Sequence, residues 1–230
     1  MIPKKKILAL LIGVVIFLTA MSVGVHYIKY VLKQDHFFGS VRLFSLDKEA
    51  NIPTWYQSMS LLFCSVLLGF IAFCTREKKG RFFGHWAFLA LVFLGMSIDE
   101  LSVIHEMLTD PLRNHFGFHD FLNFSWIVAG GIFVMVIGLS YLKFLWHLPL
   151  KIRVQFIIAG LIYIGGTLGM ESIGGYWSSH FGEHSFHYTI LTDIEELLEM
   201  TGILVFINVL LSYAGVVSKP DGVKIQIEEV

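Results

Sequence analysis

Six long, largely apolar stretches run through this chain, at approximately 7–28, 54–74, 82–109, 121–143, 153–177 and 189–214. Each is long enough to cross a hydrocarbon core about 30 Å thick as a helix. No other feature narrows the available folds so far. A backbone inside lipid must satisfy its own N–H and C=O groups, which only helices and closed barrels achieve, and runs of this length read as helices. The prolines agree. Pro53 and Pro111 flank stretches, Pro149 lies in a connection, and Pro3 and Pro220 lie in the tails, so none interrupts a span. The expectation is an all-α polytopic bundle of six transmembrane helices, one integral membrane domain over residues 1–230 whose last part, 215–230, is a cytoplasmic tail. Neither an internal repeat nor a low-complexity segment divides it.

Composition supports the same reading: 55% of residues are hydrophobic and 15% charged, against about a quarter charged in soluble domains. A net charge of -1 gives no case for nucleic acid and leaves the lipid bilayer as the evident partner, a homo-oligomer being compatible. The start, Met1-Ile2-Pro3-Lys4-Lys5-Lys6, precedes an apolar run longer than the roughly 7–15 residues of a signal peptide core, so it reads as a retained helix. Cys64 and Cys74, ten residues apart on one helix, are separated by about 15 Å and read as packing or lipid-facing residues.

Lys and Arg set the expected orientation. Lys4, Lys5, Lys6, Arg76, Lys78, Lys79, Arg81, Lys143, Lys151, Arg153, Lys219 and Lys224 collect on one side, against Lys29, Lys33, Arg42, Lys48 and Arg113 on the other. This bias predicts cytoplasmic termini and outward connections at 29–53, 110–120 and 178–188. The implied location is the cell (inner) membrane. The first outward connection, rich in aromatic residues, reads as an interfacial belt or as a lid.

Against this background the acids stand out. The third stretch ends Ser97-Ile98-Asp99-Glu100-Leu101-Ser102-Val103-Ile104-His105-Glu106. An acidic residue at mid-membrane costs about 2.5–3.5 kcal/mol, and less near the interface. Glu171 on the fifth stretch and Glu195, Glu196 and Glu199 on the sixth come at similar depth on the same, extracytoplasmic side. At about 100° per residue, Asp99, Ser102 and Glu106 share a narrow arc, flanked by His105 and Glu100. Thr192, Glu195, Glu196 and Glu199 share another, with Asp193 just beyond it. Neither Lys nor Arg occurs from Val154 to Ser218, and Arg113 alone occurs from Phe82 to Leu142. Buried carboxylates without ion-pair partners must take up protons or bind cations.

Carboxylate with imidazole is the ligand chemistry of non-haem iron, manganese and zinc. The predicted metal ligands are Asp99, His105, Glu106, Glu171, Glu196 and Glu199, followed by Glu100 and Glu195 as bridging ligands or as acceptors from His105. Ser102 and Thr192 are expected to donate to the ligating carboxylates. The excess of acids over histidine favours iron or manganese, two or more ions, with zinc as the alternative. No strict Glu-x-x-His occurs, so soluble di-iron bundles serve as a chemical analogy only. A further histidine can come from His180-Phe181-Gly182-Glu183-His184, with His184 the candidate; an ordinary solvated loop is the competing reading. His26, His36, His85 and His147 read as interfacial or packing residues. Glycines 165, 166, 169, 174 and 175 are expected to let the fifth span pack closely.

Three functions compete: a membrane-embedded metalloprotein, an oxidoreductase in its sharpest form; a proton- or cation-coupled transporter; and a zinc-dependent lipid hydrolase. A wet start to the sixth helix near Leu197 would remove several acids from the problem. Nucleotide, flavin and haem motifs are missing from the sequence.

Overall fold

The apolar stretches become helices whose ends are written in their polar neighbours. The computed structural model describes residues 4–33, 40–183 and 185–218. The helices are α1 (Lys4–Tyr30), α2 (Ser40–Phe44), α3 (Ile52–Glu77), α4 (Phe83–Ser102), α5 (Thr109–Phe116), α6 (Trp126–His147), α7 (Leu150–Ile164), α8 (Glu171–Phe181) and α9 (Phe186–Val217). A π-helical turn, Gly165–Met170, joins α7 and α8 into one continuous rod. Six of these units are long and apolar enough to cross a membrane, and the protein is an integral membrane protein. Among the described residues there is no strand.

Caps explain two starts. Asn51 Oδ1 accepts the Thr54 N–H at 3.1 Å and its amide donates to the Ser45 carbonyl at 2.7 Å, with Pro53 in the first turn of α3. That is the expected chemistry of a helix start. Ser185 Oγ accepts the Tyr188 N–H at 3.2 Å and opens α9. Helix α9 therefore begins well before Leu197, and its three glutamates lie inside the helix.

Small and hydroxylated residues set the helix contacts, as expected where lipid offers no hydrophobic drive between helices. Ser58 Oγ donates to the Ser97 carbonyl at 2.7 Å and Ser97 Oγ to the Ser58 carbonyl at 2.8 Å, fastening α3 to α4. Between the α7 rod and α9 the backbones nearly touch. A Cβ on Gly202 would lie 2.8 Å from the Tyr163 backbone nitrogen, and one on Gly166 would lie 2.9 Å from the Glu195 carbonyl. Gly175 approaches Asp120 in the same way, whereas Gly165 and Gly169 face open space. The close-packing expectation thus holds at particular glycines of the run.

The third span is shorter than its apolar stretch suggests. Helix α4 stops at Ser102 because Val103 adopts a left-handed conformation, φ 54°, strained for a β-branched residue. A short 3₁₀ turn, His105–Leu108, follows. The arc that placed Glu106 in helical phase with Asp99 and Ser102 therefore does not exist.

Candidate functional site

A cavity of about 960 Å³ runs along the bundle, and its wall combines two surfaces. One is apolar, from the facing sides of α4, α6 and α7. The other is acidic. Asp47 and Glu49 come from the segment before α3, Asp99 and Glu100 from α4, Glu106 from the 3₁₀ turn, Glu171 from α8, and Glu195, Glu196 and Glu199 from α9. Among the described residues, nine carboxyl groups thus share the wall with a single lysine, Lys48, which lies 3.3 Å from Asp47. Every sequence-predicted ligand except His184, which lies outside the described residues, borders this cavity.

Specific hydrogen bonds hold parts of the cluster. Asp99 grips His105 twice: its Oδ1 accepts the His105 N–H at 2.9 Å, and its Oδ2 lies 2.7 Å from Nδ1. The αL turn at Val103 makes this return possible. Trp126, at the start of α6, packs its ring 4.5 Å from the imidazole and donates Nε1–H to Glu171 at 2.9 Å. Glu195 of α9 borders the same cavity. Gln57 of α3, fully buried, donates its amide to Glu199 at 2.7 Å, while its Oε1 has no partner.

Outside the membrane-spanning helices, two groups report the field of the acids. Burial works against the His105 imidazolium, but the hydrogen bond and charge of Asp99, with Glu171 and Glu106 behind them, prevail and raise its pKa to about 8. At the mouth, partial burial and then the charge of Glu106 raise the pKa of Glu49.

Other expectations are corrected. Ser102 Oγ donates to the Ile98 carbonyl at 2.7 Å and Thr192 Oγ1 to the Tyr188 carbonyl at 3.3 Å. Each hydroxyl bonds back onto its own helix, the usual local choice for these residues, rather than supporting an acid. His180 stacks on Tyr176 and approaches Asp120 at 3.5 Å, away from the cavity wall. Among the described residues no group of three His, Cys, Asp or Glu side chains is drawn together closely enough to hold a metal ion; the acids line the wall instead of meeting at a point.

Sequence reasoning missed Glu49, Gln57 and Trp126. It also missed a second polar network beside the cavity. His26 of α1, read as a packing residue, lies 2.9 Å from Asp193 through Nδ1 and 2.9 Å from Ser45 Oγ through Nε2. Ser22 Oγ donates to the other Asp193 oxygen at 2.9 Å and accepts the Leu46 N–H at 3.0 Å. The order Ser–His–Asp resembles a hydrolase relay, but Ser45 is 2% exposed. The network is a buried clamp joining α1, the segment after α2 and α9. It also sets Leu46 and Asp47 at the cavity mouth.

Fold and site together define a polytopic helical membrane protein with a long cavity that is acidic at one end. Residues 7–214 match the model of a family described as "Domain of unknown function (DUF8692)", and the chain belongs to that family. No curated protein and no solved structure matches it.

Proposed function

We propose that this protein is a membrane-embedded metalloprotein whose acidic cavity holds two or more divalent cations, iron or manganese, for redox chemistry. One observation carries the reading: among the described residues, nine carboxyl groups surround one cavity against a single lysine already paired with Asp47. Such a concentration of like charge in a low-dielectric bundle requires compensating cations or protons. The donor set, many carboxylate oxygens with one imidazole, suits iron or manganese better than a thiolate-preferring ion.

Two details support the assignment of roles. His105 is held through Nδ1 by Asp99, which leaves Nε2 as the ligating nitrogen, the arrangement in which a carboxylate orients a metal-bound histidine. Asp99 is then a positioning residue. The unpartnered Gln57 oxygen offers a neutral donor beside Glu199. Glu106, Glu171, Glu196 and Glu199 are the remaining proposed ligands, with Glu100 and Glu195 bridging. Drawing these side chains inward needs rotation about their own χ angles. The metal would supply the electron-transfer capacity that none of these side chains has. The Lys and Arg bias supports an extracytoplasmic position in the cell membrane for this end of the bundle.

A transport reading is less well supported. At its far end the cavity runs into an aromatic plug, where Phe144 packs edge-on against Trp86, with ring centroids 4.7 Å apart, and stacks on His85, and no acid lines that end. The test is elemental analysis of the detergent-purified protein by plasma mass spectrometry, with an optical spectrum alongside. Two or three iron or manganese ions per chain are expected. A single zinc would favour lipid hydrolysis, and metal-free folded protein would sink the proposal.

A further inference from the structure

We infer that the apolar part of the cavity binds the hydrocarbon chain of a lipid with an uncharged, oxygen-bearing head group, the head meeting the acidic end. This rests on the cation reading above and names the substrate class of that site.

Helix α6 is fastened to its neighbours near its two ends. At one, Tyr141 donates to the His85 carbonyl at 2.7 Å and Phe144 packs on Trp86. At the other, Trp126 contacts His105 and Glu171, and Gly130 lies against Leu168. Between those points α6 leaves a fissure towards α4 and α7. From Trp126 to Tyr141 it extends about 22 Å at 1.5 Å per residue. Three glycines mark it as open space: Gly95 on α4, Gly138 on α6 and Gly160 on α7 all border the cavity, and a Cβ on any of them meets no atom within 4 Å.

The remaining wall is apolar and partly uncovered. Leu91 is 65% exposed and Leu161 66%, although both border the cavity. The fissure therefore opens sideways, towards the region occupied by lipid chains, so a lipid can slide in without leaving the bilayer. A volume of about 960 Å³ is at the upper end of cavities that enclose a whole small ligand.

Charge selects the head group. Among the described residues nine carboxyls face one lysine along the wall, so two or three divalent cations offset the acidic charge without inverting it. An anionic head would be repelled, as like charges in a low-dielectric site are. A cationic head would compete with the metal ions. A neutral hydroxyl or carbonyl oxygen can approach a bound cation without either penalty.

The experiment uses the full chain in phosphatidylcholine nanodiscs with a trace of monoacylglycerol carrying a diazirine in its chain. Crosslinks are mapped by mass spectrometry, and metal is measured on the same samples. Crosslinks are expected on α4 and α6 between the levels of Phe88 and Met96. Oleoylglycerol should displace the probe at least tenfold better than oleate or oleylamine. Gly95→Leu and Gly138→Leu fill the fissure and should cut crosslinking at least tenfold with metal content unchanged. Gly131→Leu, on the same helix but outside the cavity wall, should do neither. Metal-loaded protein whose crosslinking ignores the two fissure variants would overturn the inference while leaving the cation reading intact. Better displacement by oleate or oleylamine would overturn the head-group assignment. Folded protein without metal fails the cation reading first, and the inference with it.

Discussion

Asp99 holds His105 by two separate contacts, one to the backbone N–H at 2.9 Å and one to the imidazole Nδ1 at 2.7 Å. A single carboxylate thereby fixes both the chain reversal after α4 and the ring that the reversal carries. The strained Val103 is the hinge that lets them meet. In the proposed metal site such an aspartate is a positioning residue, a role that mutation can separate from direct ligation.

Asp99→Asn keeps the shape and removes the charge. Loss of a carboxylate that orients a ligating histidine costs about 10–100-fold in metal affinity. Metal retention through dialysis against a chelator should fall accordingly, with the helical content of the protein unchanged. Retention equal to wild type would remove Asp99 from the site.

The acids store repulsion in the metal-depleted protein. Glu196→Gln should therefore act in opposite directions on two readouts. Metal per chain falls. The melting temperature of the chelator-treated protein rises by about 2–4 °C, as expected for about 1 kcal/mol in a chain of this size. A variant that loses metal and also melts lower after chelation would show Glu196 to be structural.

His105 makes the metal-depleted protein pH-sensitive. Its pKa in the folded state is raised to about 8, above the ordinary value of about 6.5. The folded state thus binds the proton more tightly than the unfolded one. The stabilisation is complete below about pH 6.5 and is lost as pH climbs through about 8. Allowing for partial solvent screening of the pair, it amounts to about 1–2 kcal/mol. Glu49, with its pKa raised from the carboxylate range, acts with the same sign but from lower pH. Thermal unfolding of chelator-treated protein from pH 6 to 9 should show a falling melting temperature. His105→Gln should reduce that slope.

Much of this arrangement was legible in the sequence, for a physical reason. Lipid forces long apolar runs into helices, and charges inside such runs cannot be incidental, so the six spans and the acids at 99, 100, 171, 195, 196 and 199 declared themselves. Helical phase even separated Asp193 from Glu195, Glu196 and Glu199, and Asp193 indeed turns to His26. Other features left no local trace. Nothing around Val103 signals a left-handed residue, because the contact that rewards it lies with Asp99. Gln57 is one polar residue on an apolar helix, and only its meeting with Glu199, 142 residues away, gives it meaning. Glu49 sits in a connection whose path is fixed by Asn51 close by and by Ser22 and His26 on another helix.

The clamp predicts stability without site chemistry. His26→Ala would leave Asp193, 7% exposed, without its imidazole partner. Removing one member of a buried charged or hydrogen-bonded pair costs about 3–5 kcal/mol. Ser45→Ala removes one buried hydroxyl contact and should cost only about 1 kcal/mol. Both are read by thermal unfolding in detergent, with metal per folded chain unchanged. Equal effects of the two variants would mean that the load is not carried by the His26–Asp193 pair.

Gly202 tests how the site depends on the approach of two helices. A methyl group there would meet Tyr163 backbone atoms at 2.8–2.9 Å, a distance that side-chain rotation cannot relieve. Gly202→Ala must therefore push the α7 rod away from α9, and overpacking of this kind costs about 1–3 kcal/mol. The displaced rod carries Glu171, while Glu195 and Glu199 stay with α9, so the carboxyls facing each other across the two helices would separate. Metal retention should then fall together with the melting temperature, although Gly202 bears no ligating atom of its own. Gly160→Ala, on the same rod but facing open space, is the control and should leave both unchanged or raise the melting temperature slightly. A Gly202→Ala protein that melts lower yet keeps its full metal content would show that the cation ligands do not straddle this interface.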